Sequence, residues 1–518
     1  MICVIASVVG SVVNPGSAAF GAEGARTAPD REVVMNSSPT VAVIGAGISG
    51  LTTLKMLQDY GIAVTCFETS DRIGGNWAFG NPNGSSSAYR SLHIDTSKHQ
   101  LSFRDFPMPD EFPEFPHHTH IKQYLDDYAD AFDLLGSIEF STRVAHAERL
   151  DDGGWELTLE RVGTAEDAAG GAAEHSTGGT AADATGGTTR TTQRFDLLVV
   201  GNGHHWDARF ADFPGEFTGE MIHSHAYIDP WDPLHLMDKR ILVVGIGNSA
   251  ADIAVELSSK VMRNEVVIST RSSAWIAPKF ISGQPADKFY TTLPYVPYSW
   301  QRKVMQWVQP ISVGRPETYG LPKPNHKFFE AHPTQSAELP LRLATGDVRA
   351  TGDIDRLDGR TVHFADGTSS EFDVMIQATG YDVTFPFFDP DFLSADHNNH
   401  IPLYKRMFSP GIDDLVFVGF AQATPTLFPF IEAQARLVAA WAAGLYATPD
   451  DEEMHRVIVE DEKKYIGHML DTPRHQQQVD YFLYEHDLRT REIPRGLERA
   501  RNAGALRGAA AAAMQVNG

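Results

Sequence analysis

The sequence predicts an α/β fold built around two separate parallel sheets, and two observations support this prediction. Strand patterns and helix patterns alternate through residues 41–70 and again through 241–275, as they do where crossover helices join parallel strands. In each stretch a glycine-rich turn follows an apolar strand: VAVIGAGISGL at 41–51 and VVGIGNSAAD at 243–252. Because 518 residues are enough for several domains, we assign each turn to a domain of its own.

The first turn has the spacing of a pyrophosphate-binding loop. Gly45 allows a sharp turn, Gly47 removes a side chain where the backbone would meet phosphates, and Gly50 lets helix and strand pack closely. The next strand, AVTCFE, ends in Glu68, a carboxylate suited to accept hydrogen bonds from ribose hydroxyls. The combination predicts a Rossmann-like dinucleotide-binding domain.

A further glycine turn, TSDRIGGNW, follows Glu68 and supplies Gly75, Asn76 and Trp77. An NAD site does not need this turn, whereas the longer flavin nucleotide does, because its ring end has to pass such a loop. We therefore expect FAD in the first domain. An ordinary loop with a core tryptophan is the alternative interpretation.

The second turn repeats the spacing with Gly245, Gly247 and Ala250. Its partner strand, EVVIST, is followed by Arg271 and Ser272 instead of an acid. A guanidinium group attracts a 2′-phosphate that a carboxylate would repel, so we predict that this domain prefers NADPH to NADH. A solvated surface arginine is the alternative. Two dinucleotides in one chain indicate electron transfer from nicotinamide to flavin.

The composition excludes several other classes of protein. The net charge is −24, which disfavours nucleic acid and anionic membranes as partners. The two cysteines, Cys3 and Cys66, form neither a disulfide framework nor a close redox pair, so we expect a cytoplasmic protein. The apolar run at 2–13 is too short to span a bilayer, and Met35 is an alternative start.

Between the two turns the chain resembles the flavin-containing monooxygenase family. FTGEMIHSHAY at 217–227 matches the family pattern F-x-G-x-x-x-H-x-x-x-Y, although Ile228 follows where the family has Lys or Arg. Related Baeyer–Villiger monooxygenases have Trp at the position of Tyr227. Further segments resemble the family in the same order: YRSLHIDTSKHQLSFRDFPMP at 89–109, GNSAAD at 247–252, ATGYD at 378–382 and FVGFAQATPTLFPFIEAQAR at 417–436.

The resemblance implies an enzyme in which the NADPH domain is inserted into a discontinuous FAD domain. NADPH would reduce FAD, reduced FAD and O₂ would give a flavin hydroperoxide, and a small soft nucleophile, amine nitrogen or sulfide sulfur, would take its distal oxygen. NADP⁺ would stay bound as a shield against water. The protein's share would be to position the two rings and exclude water.

Several site residues follow from the resemblance. Ser249 and Asp252 would lie near NADPH, and Thr96 and Gln422 near FAD. Asp95 is the candidate catalytic residue, because the family commonly has there an asparagine whose amide contacts the nicotinamide beside the flavin.

The aspartate at this position departs from the family. An ionised Asp95 offers only acceptors, so either it is protonated or a neighbouring donor compensates, with His93, Thr96 and Lys98 as candidates. Alternatively, Asp95 points elsewhere.

Three other functions remain open at this point. A Baeyer–Villiger enzyme would oxygenate a ketone or an aldehyde, an NADPH oxidase would release hydrogen peroxide, and a redox-sensing protein would bind both nucleotides without catalysis. A homodimer is compatible with the sequence. The histidines of HHTH at 117–120 and HH at 204–205 lack acidic or thiolate partners at ligand spacing, so we predict no metal site and expect surface or loop histidines.

Composition shifts divide the chain. Residues 163–192 lack bulky apolar side chains and are expected to be disordered. The apolar pattern predicts amphipathic helices at 124–132 and 430–445. We expect an irregular aromatic wall at 281–335. The expected order is a disordered extension at 1–37, the FAD domain at 38–208, the NADPH domain at 209–338, the rest of the FAD domain with C-terminal helices at 339–490, and a flexible tail at 491–518.

Overall fold

The computed structural model describes residues 38–162, 188–288, 298–472 and 475–503. The extension expected at 1–37, with Met35, lies outside the described residues. So do most of the insert expected at 163–192 and the end of the tail.

The first sheet consists of five parallel strands whose middle strand carries the first glycine turn. Val41 and Val43 of that strand face one buried core, while Ala42 and Ile44 face another, since successive side chains point to opposite sides of a sheet. Both faces are therefore covered, which explains the uninterrupted apolar sequence. In spatial order the strands are Leu415–Phe417, Leu197–Val200, Val41–Ile44, Val64–Phe67 and Ile138–Glu139.

The second sheet repeats this plan. Its middle strand carries the second glycine turn and alternates in the same way, with Ile241 and Val243 in one core and Leu242 and Val244 in another. In spatial order the five parallel strands are Glu220–His223, Val374–Gln377, Arg240–Val244, Glu265–Ser269 and Val348–Thr351. In both sheets the glycine turn lies at the point where the strand order reverses, which is where open α/β sheets bind ligands.

The sequence boundary at 338/339 is wrong, because two later strands belong to the second sheet. Val348–Thr351 forms its edge, and Val374–Gln377 pairs with its middle strand. The chain leaves this sheet only after Gln377, and Tyr381–Asp382 then pairs with Asp207–Ala208, so the two connections between the sheets run side by side. Nothing in a buried parallel strand marks the sheet to which it belongs, so apolar pattern alone misplaced the boundary.

A three-stranded antiparallel sheet covers one face of the first sheet. It comprises Thr142–Arg149, Trp155–Val162 and Thr188–Phe195. The predicted end of the disordered insert, at 192, is wrong, because the strand Thr188–Phe195 begins before it. The threonines of this strand are polar but favour an extended backbone. A four-stranded sheet lies against the second sheet and comprises Gly215–Phe217, Ile354–Gly359, Thr361–Phe364 and Ser369–Glu371.

The other regular elements are helices and short strand pairs. The α-helices are Ile48–Asp59, Lys98–Leu101, His118–Ala131, Asn248–Leu257, Tyr298–Ser312, Leu339–Thr345, Phe428–Ala442, Asp451–Tyr465, Tyr481–Asp487 and Ile493–Asn502, with a π-helical turn at Leu488–Glu492. Short 3₁₀ turns occur at Gly75–Trp77, Leu135–Ser137, Ser224–Ala226 and Pro316–Tyr319. Two-stranded pairs join Ile276–Ala277 to Thr334–Gln335, Phe280–Ile281 to Gln284–Pro285, and Gln422–Thr424 to Gln478–Asp480.

Both amphipathic helices expected from the sequence are present, whereas two other expectations fail. The wall is not irregular throughout, because Tyr298–Ser312 is helical, with Trp300 and Trp307 exposed. The tail does not begin at 491, because Ile493–Asn502 is a helix whose Gly496 lies against the ring of Tyr446. Among the described residues, no helix has the length and apolar character needed to cross a bilayer.

Candidate functional site

Two glycines of the first turn, Gly45 and Gly50, have no room for a side chain. Gly45 has φ of +96°, and a Cβ there would lie 2.8 Å from the carbonyl oxygen of Gly201. A Cβ on Gly50 would lie 1.9 Å from the carbonyl oxygen of Gly45. Gly47 caps the helix Ile48–Asp59 without any side-chain hydrogen bond to its free amides. The turn thus holds a helix N-terminus open, the arrangement that binds phosphate.

The second glycine turn of this domain packs against the first. Gly74 N donates to Ala46 O at 3.0 Å, and a Cβ on Gly75 would lie 3.1 Å from Gly47 Cα. Gly75 has φ of +53°, which few other residues adopt. The two turns are therefore in direct backbone contact at Gly47 and Gly75, which places both beside the same helix N-terminus.

Glu68 has a structural role beside the one expected from the sequence. It is buried, and its two carboxylate oxygens accept from Ala46 N and Ser70 N, both at 2.8 Å. It therefore fixes the first turn to the loop after its own strand. Thr69 Oγ1 at 3.2 Å and Asn83 Nδ2 at 3.5 Å also donate to Oε1. An ionised carboxylate has about four acceptor positions, so a ribose hydroxyl would have to replace one of these longer contacts.

Asn76 and Trp77 fix the same turn to its surroundings. Asn76 Oδ1 accepts from both Ser87 N and Ser87 Oγ at 2.8 Å. Trp77 is half-buried and packs against the first domain's core. Asn76 thereby connects the glycine turn with the segment that leads towards Asp95.

The second domain builds an equivalent crevice. Gly245 has φ of +125°, and a Cβ there would lie 2.5 Å from Ala378 O. Gly247 caps the helix Asn248–Leu257, again without a side-chain hydrogen bond. Ala250 is fully buried, which shows why a small residue suffices at the third position, and Ser249 beside it is half-buried.

Arg271 and Ser272, the residues predicted to favour NADPH, lie just beyond the strand Glu265–Ser269. The strand Glu265–Ser269 neighbours the middle strand and runs parallel to it, so both strands end at the same edge of the sheet. Arg271 is exposed and Ser272 half-buried just beyond this end. The guanidinium group is therefore accessible to a phosphate at the crevice.

Asp252 joins the two domains. Tyr89, from the first domain, donates to Asp252 Oδ2 at 2.5 Å. One turn further along the helix, Glu256 Oε2 accepts from Tyr227 and Ser91, both at 2.9 Å. Tyr227, the last residue of the FTGEMIHSHAY match, therefore bonds to the same carboxylate as Ser91 of the first domain.

Burial, with a further contribution from the nearby Asp95 charge, raises the pKa of Asp252 from 3.8 to about 7. The folded protein then keeps a proton that the unfolded chain loses near pH 4. This contribution to stability is complete below pH 4 and is lost as the pH rises through about 7.

We expect Asp252→Asn, which retains an acceptor for Tyr89, to remove this pH dependence. At about 1.4 kcal/mol per pKa unit, the wild type should lose up to about 4 kcal/mol relative to the variant between pH 4 and pH 7. Urea unfolding of both proteins across this range measures the difference, and parallel curves would contradict the assignment.

Asp95 faces a partner that the sequence analysis missed. Its Oδ1 lies 3.1 Å from Lys279 Nζ. Burial raises the pKa of Asp95, and Lys279 opposes that rise. Lys279 lies just before the predicted wall at 281–335, and nothing in the sequence connects it with Asp95.

The three donors proposed for Asp95 bond elsewhere. His93 Nδ1 lies 2.9 Å from Ser91 O, Thr96 Oγ1 donates to Pro425 O at 3.2 Å, and Lys98 Nζ donates to two backbone carbonyls. That part of the prediction is therefore wrong, and the cation that lies beside Asp95 is Lys279.

Gln422 lies at the start of the short strand Gln422–Thr424, beyond the last strand of the first sheet. Its Oε1 accepts from Gln478 Nε2 at 2.5 Å, and its backbone N donates to Gln477 O at 2.8 Å. Its side chain therefore also has a structural partner.

The histidine pairs differ from the expectation of surface positions at one residue. His118 is buried at the start of the helix His118–Ala131, and burial lowers its pKa to about 4. His204 and His205 lie half-buried in a loop. In the part of the chain that the structure describes, no group of three or more His, Cys, Asp or Glu side chains could hold a metal ion.

Comparisons with known proteins agree on one family. Residues 38–493 match the model of the flavin-binding monooxygenase-like family. Dimethylaniline monooxygenase [N-oxide-forming] 2 of Oryctolagus cuniculus is 33% identical over 467 residues, covering 86% of this chain and 81% of that protein.

Solved structures share the fold. S-allyl-L-cysteine S-oxygenase from Allium sativum superimposes with a TM-score of 0.61 at 22% identity, covering 88% of both chains. Cyclohexanone monooxygenase from Rhodococcus sp. Phi1 gives a TM-score of 0.60 at 19% identity, covering 88% of this chain and 97% of that one. At these identities the likeness concerns the fold.

Proposed function

Because the chain belongs to the flavin-binding monooxygenase-like family, we propose that it is an NADPH-dependent monooxygenase that oxygenates a soft nucleophile, amine nitrogen or sulfide sulfur. FAD binds in the first crevice, at Gly45, Gly47, Gly50, Glu68 and Gly75. NADPH binds in the second crevice, inside the inserted domain.

One observation carries this proposal. Two five-stranded parallel sheets each present a glycine turn and a helix N-terminus without a side-chain cap at the point where the strand order reverses. The segment 89–97 runs between them and bonds to the second domain at Asp252, Glu256 and Lys279. A flavin extending from one crevice and a nicotinamide from the other would meet beside this segment.

The residues of the chain bind, orient and shield the two nucleotides. When bound, the flavin accepts hydride from the nicotinamide and activates O₂ for transfer to the substrate. Glycine turns hold the pyrophosphates, and Asp95 with Thr96 lies at the meeting point. No side chain is required to attack the substrate, so the selectivity resides in the shape and charge of the pocket.

Product analysis tests the proposal. Purified protein supplied with FAD, NADPH and O₂ should convert an alkyl aryl sulfide or a tertiary amine to its oxide. A cyclic ketone should remain unchanged; a lactone would establish Baeyer–Villiger chemistry instead. Hydrogen peroxide equal to the NADPH consumed, without oxygenated product, would identify an oxidase and overturn the proposal.

Arg271 is the proposed partner of the 2′-phosphate. We expect Arg271→Ala to weaken NADPH by roughly 10- to 100-fold, because a charge-assisted hydrogen bond is worth about 1.5–3 kcal/mol, while NADH affinity stays nearly unchanged. Steady-state KM values for both nucleotides measure this.

The matched control is Arg263→Ala, an exposed arginine of the same domain that pairs with Asp238. It should leave both KM values unchanged. Equal losses for NADPH and NADH in Arg271→Ala would remove the assigned role.

A cytoplasmic location and a homodimer remain predictions. Sedimentation equilibrium measures the assembly state directly, and cell fractionation with an antibody against the protein measures the location.

A further inference from the structure

We propose that Lys279 is a second charged residue of the reaction site and acts with Asp95 as the counterpart of a single amide group. This inference rests on the proposed function, because it concerns the place where nicotinamide and flavin would meet. Lys279 Nζ lies 3.1 Å from Asp95 Oδ1, and the two side chains are only 19% and 21% exposed.

The hydrogen-bonding chemistry of the pair explains how it could replace an amide. An asparagine side chain offers both donors and an acceptor, whereas an ionised aspartate offers acceptors only and a lysine ammonium three donors. Together, Asp95 and Lys279 present both kinds of group with no net charge. Lys279 lies beside Asp95 as an ion pair at 3.1 Å, and neither Lys279 Nζ nor Asp95 Oδ1 has a hydrogen-bonding partner of good geometry among the described residues, so both can reach a bound nicotinamide amide.

The surrounding structure holds Lys279 in place. The hairpin formed by Phe280–Ile281 and Gln284–Pro285 is closed by Ala286 N, which donates to Lys279 O at 2.9 Å. The ammonium group also lies 5.3 Å from the ring centroid of Phe115. Such a contact favours a fixed cation over a freely moving one.

The same hairpin holds the Asp95 segment at a second point. Asp287 is buried, and its Oδ2 accepts from Ser97 N at 2.6 Å, two residues beyond Asp95. The second domain thus contacts this segment of the first domain on both sides of Thr96. Lys279 is therefore held beside Asp95 by the fold of the second domain, and its side chain is mostly buried.

Each charge depends on the other. Without Lys279, Asp95 loses the ammonium group that opposes its protonation. Without the Asp95 carboxylate, an uncompensated ammonium would face the positive ring of NADP⁺. Removing either charge alone should therefore disturb nicotinamide binding, while Asp95→Asn together with Lys279→Met restores a neutral amide.

The test compares flavin-loaded wild type with Lys279→Met, Asp95→Asn and the double variant. NADP⁺ affinity is measured by calorimetry, and the fraction of consumed NADPH that appears as hydrogen peroxide is measured during turnover. We expect each single variant to bind NADP⁺ about tenfold more weakly, the equivalent of one charge-assisted hydrogen bond. Each should also release a larger fraction of peroxide.

The double variant should recover to within about threefold of wild-type affinity, the non-additivity expected of directly interacting groups. A single variant that fails to fold while the double variant folds would support the same pairing. Lys279→Arg, which keeps the charge, should stay close to wild type. Lys323→Met, at an exposed lysine of the same domain, serves as the control and should change nothing.

Two results would overturn the inference. One is wild-type NADP⁺ affinity and peroxide release in Lys279→Met. The other is a double variant no better than the weaker single variant. Failure of the proposed function would look different, because the wild type itself would then bind neither FAD nor NADP⁺.

Discussion

Replacing Gly50 with alanine is expected to give a protein that binds no flavin. The new methyl group would lie 1.9 Å from the carbonyl oxygen of Gly45, far inside van der Waals contact. That oxygen belongs to the backbone of the turn, so no side chain can move aside. The helix Ile48–Asp59 would have to shift away from the strand that carries the phosphate-binding loop.

The loss in the free energy of unfolding should exceed the roughly 1–3 kcal/mol that an extra methyl group usually costs in a well-packed core. Flavin absorbance per mole of purified protein and the thermal unfolding midpoint measure the two consequences. Gly136→Ala is the matched control, since a Cβ there would meet no atom within 4 Å and its backbone is not left-handed. Normal flavin content in Gly50→Ala would contradict the proposed first crevice.

The glycine turns could be predicted from sequence because their chemistry is local. Strand, turn, helix and acid follow each other within about one βαβ unit, and the spacing reports the backbone geometry directly. The structure brings together Gly47 and Gly75, as the two-turn argument expected. The family comparison then confirmed the resemblance found in FTGEMIHSHAY and its neighbouring segments.

The contacts between domains could not be predicted in this way. Lys279 is far from Asp95 in sequence, and Tyr89 is far from Asp252, so no spacing rule connects them. The donors predicted for Asp95 are its neighbours along the chain, whereas the cation beside it belongs to the second domain.

The sequence of the predicted wall contains a helical periodicity. Trp300, Val304, Trp307 and Ile311 recur at intervals of three or four residues, the period of a helix, and the structure places them on the exposed face of Tyr298–Ser312. The helix ends at Ser312, shortly after Pro310, as expected where a residue lacks its N–H and crowds the preceding turn.

A buried lysine, Lys405, forms ion pairs with two C-terminal helices. Lys405 Nζ lies 3.0 Å from Asp461 Oδ2 and 2.9 Å from Asp487 Oδ2, and its side chain is 6% exposed. Asp461 belongs to the helix Asp451–Tyr465 and Asp487 ends the helix Tyr481–Asp487. One ammonium group therefore joins both helices to the loop that precedes the last strand of the first sheet.

We expect Lys405→Met to destabilise the protein by about 3–5 kcal/mol, the usual cost of leaving buried charges without their partner. Lys464→Met is the control: Lys464 also approaches Asp487, at 3.5 Å, but is 35% exposed, so its loss should cost less than about 1 kcal/mol. Urea unfolding measures both.

The stability that Lys405→Met loses should become smaller as the pH falls and the two aspartates become protonated, because a neutral carboxyl group no longer requires the cation. Equal stability of the two variants at neutral pH would show that the C-terminal helices are held by apolar packing alone.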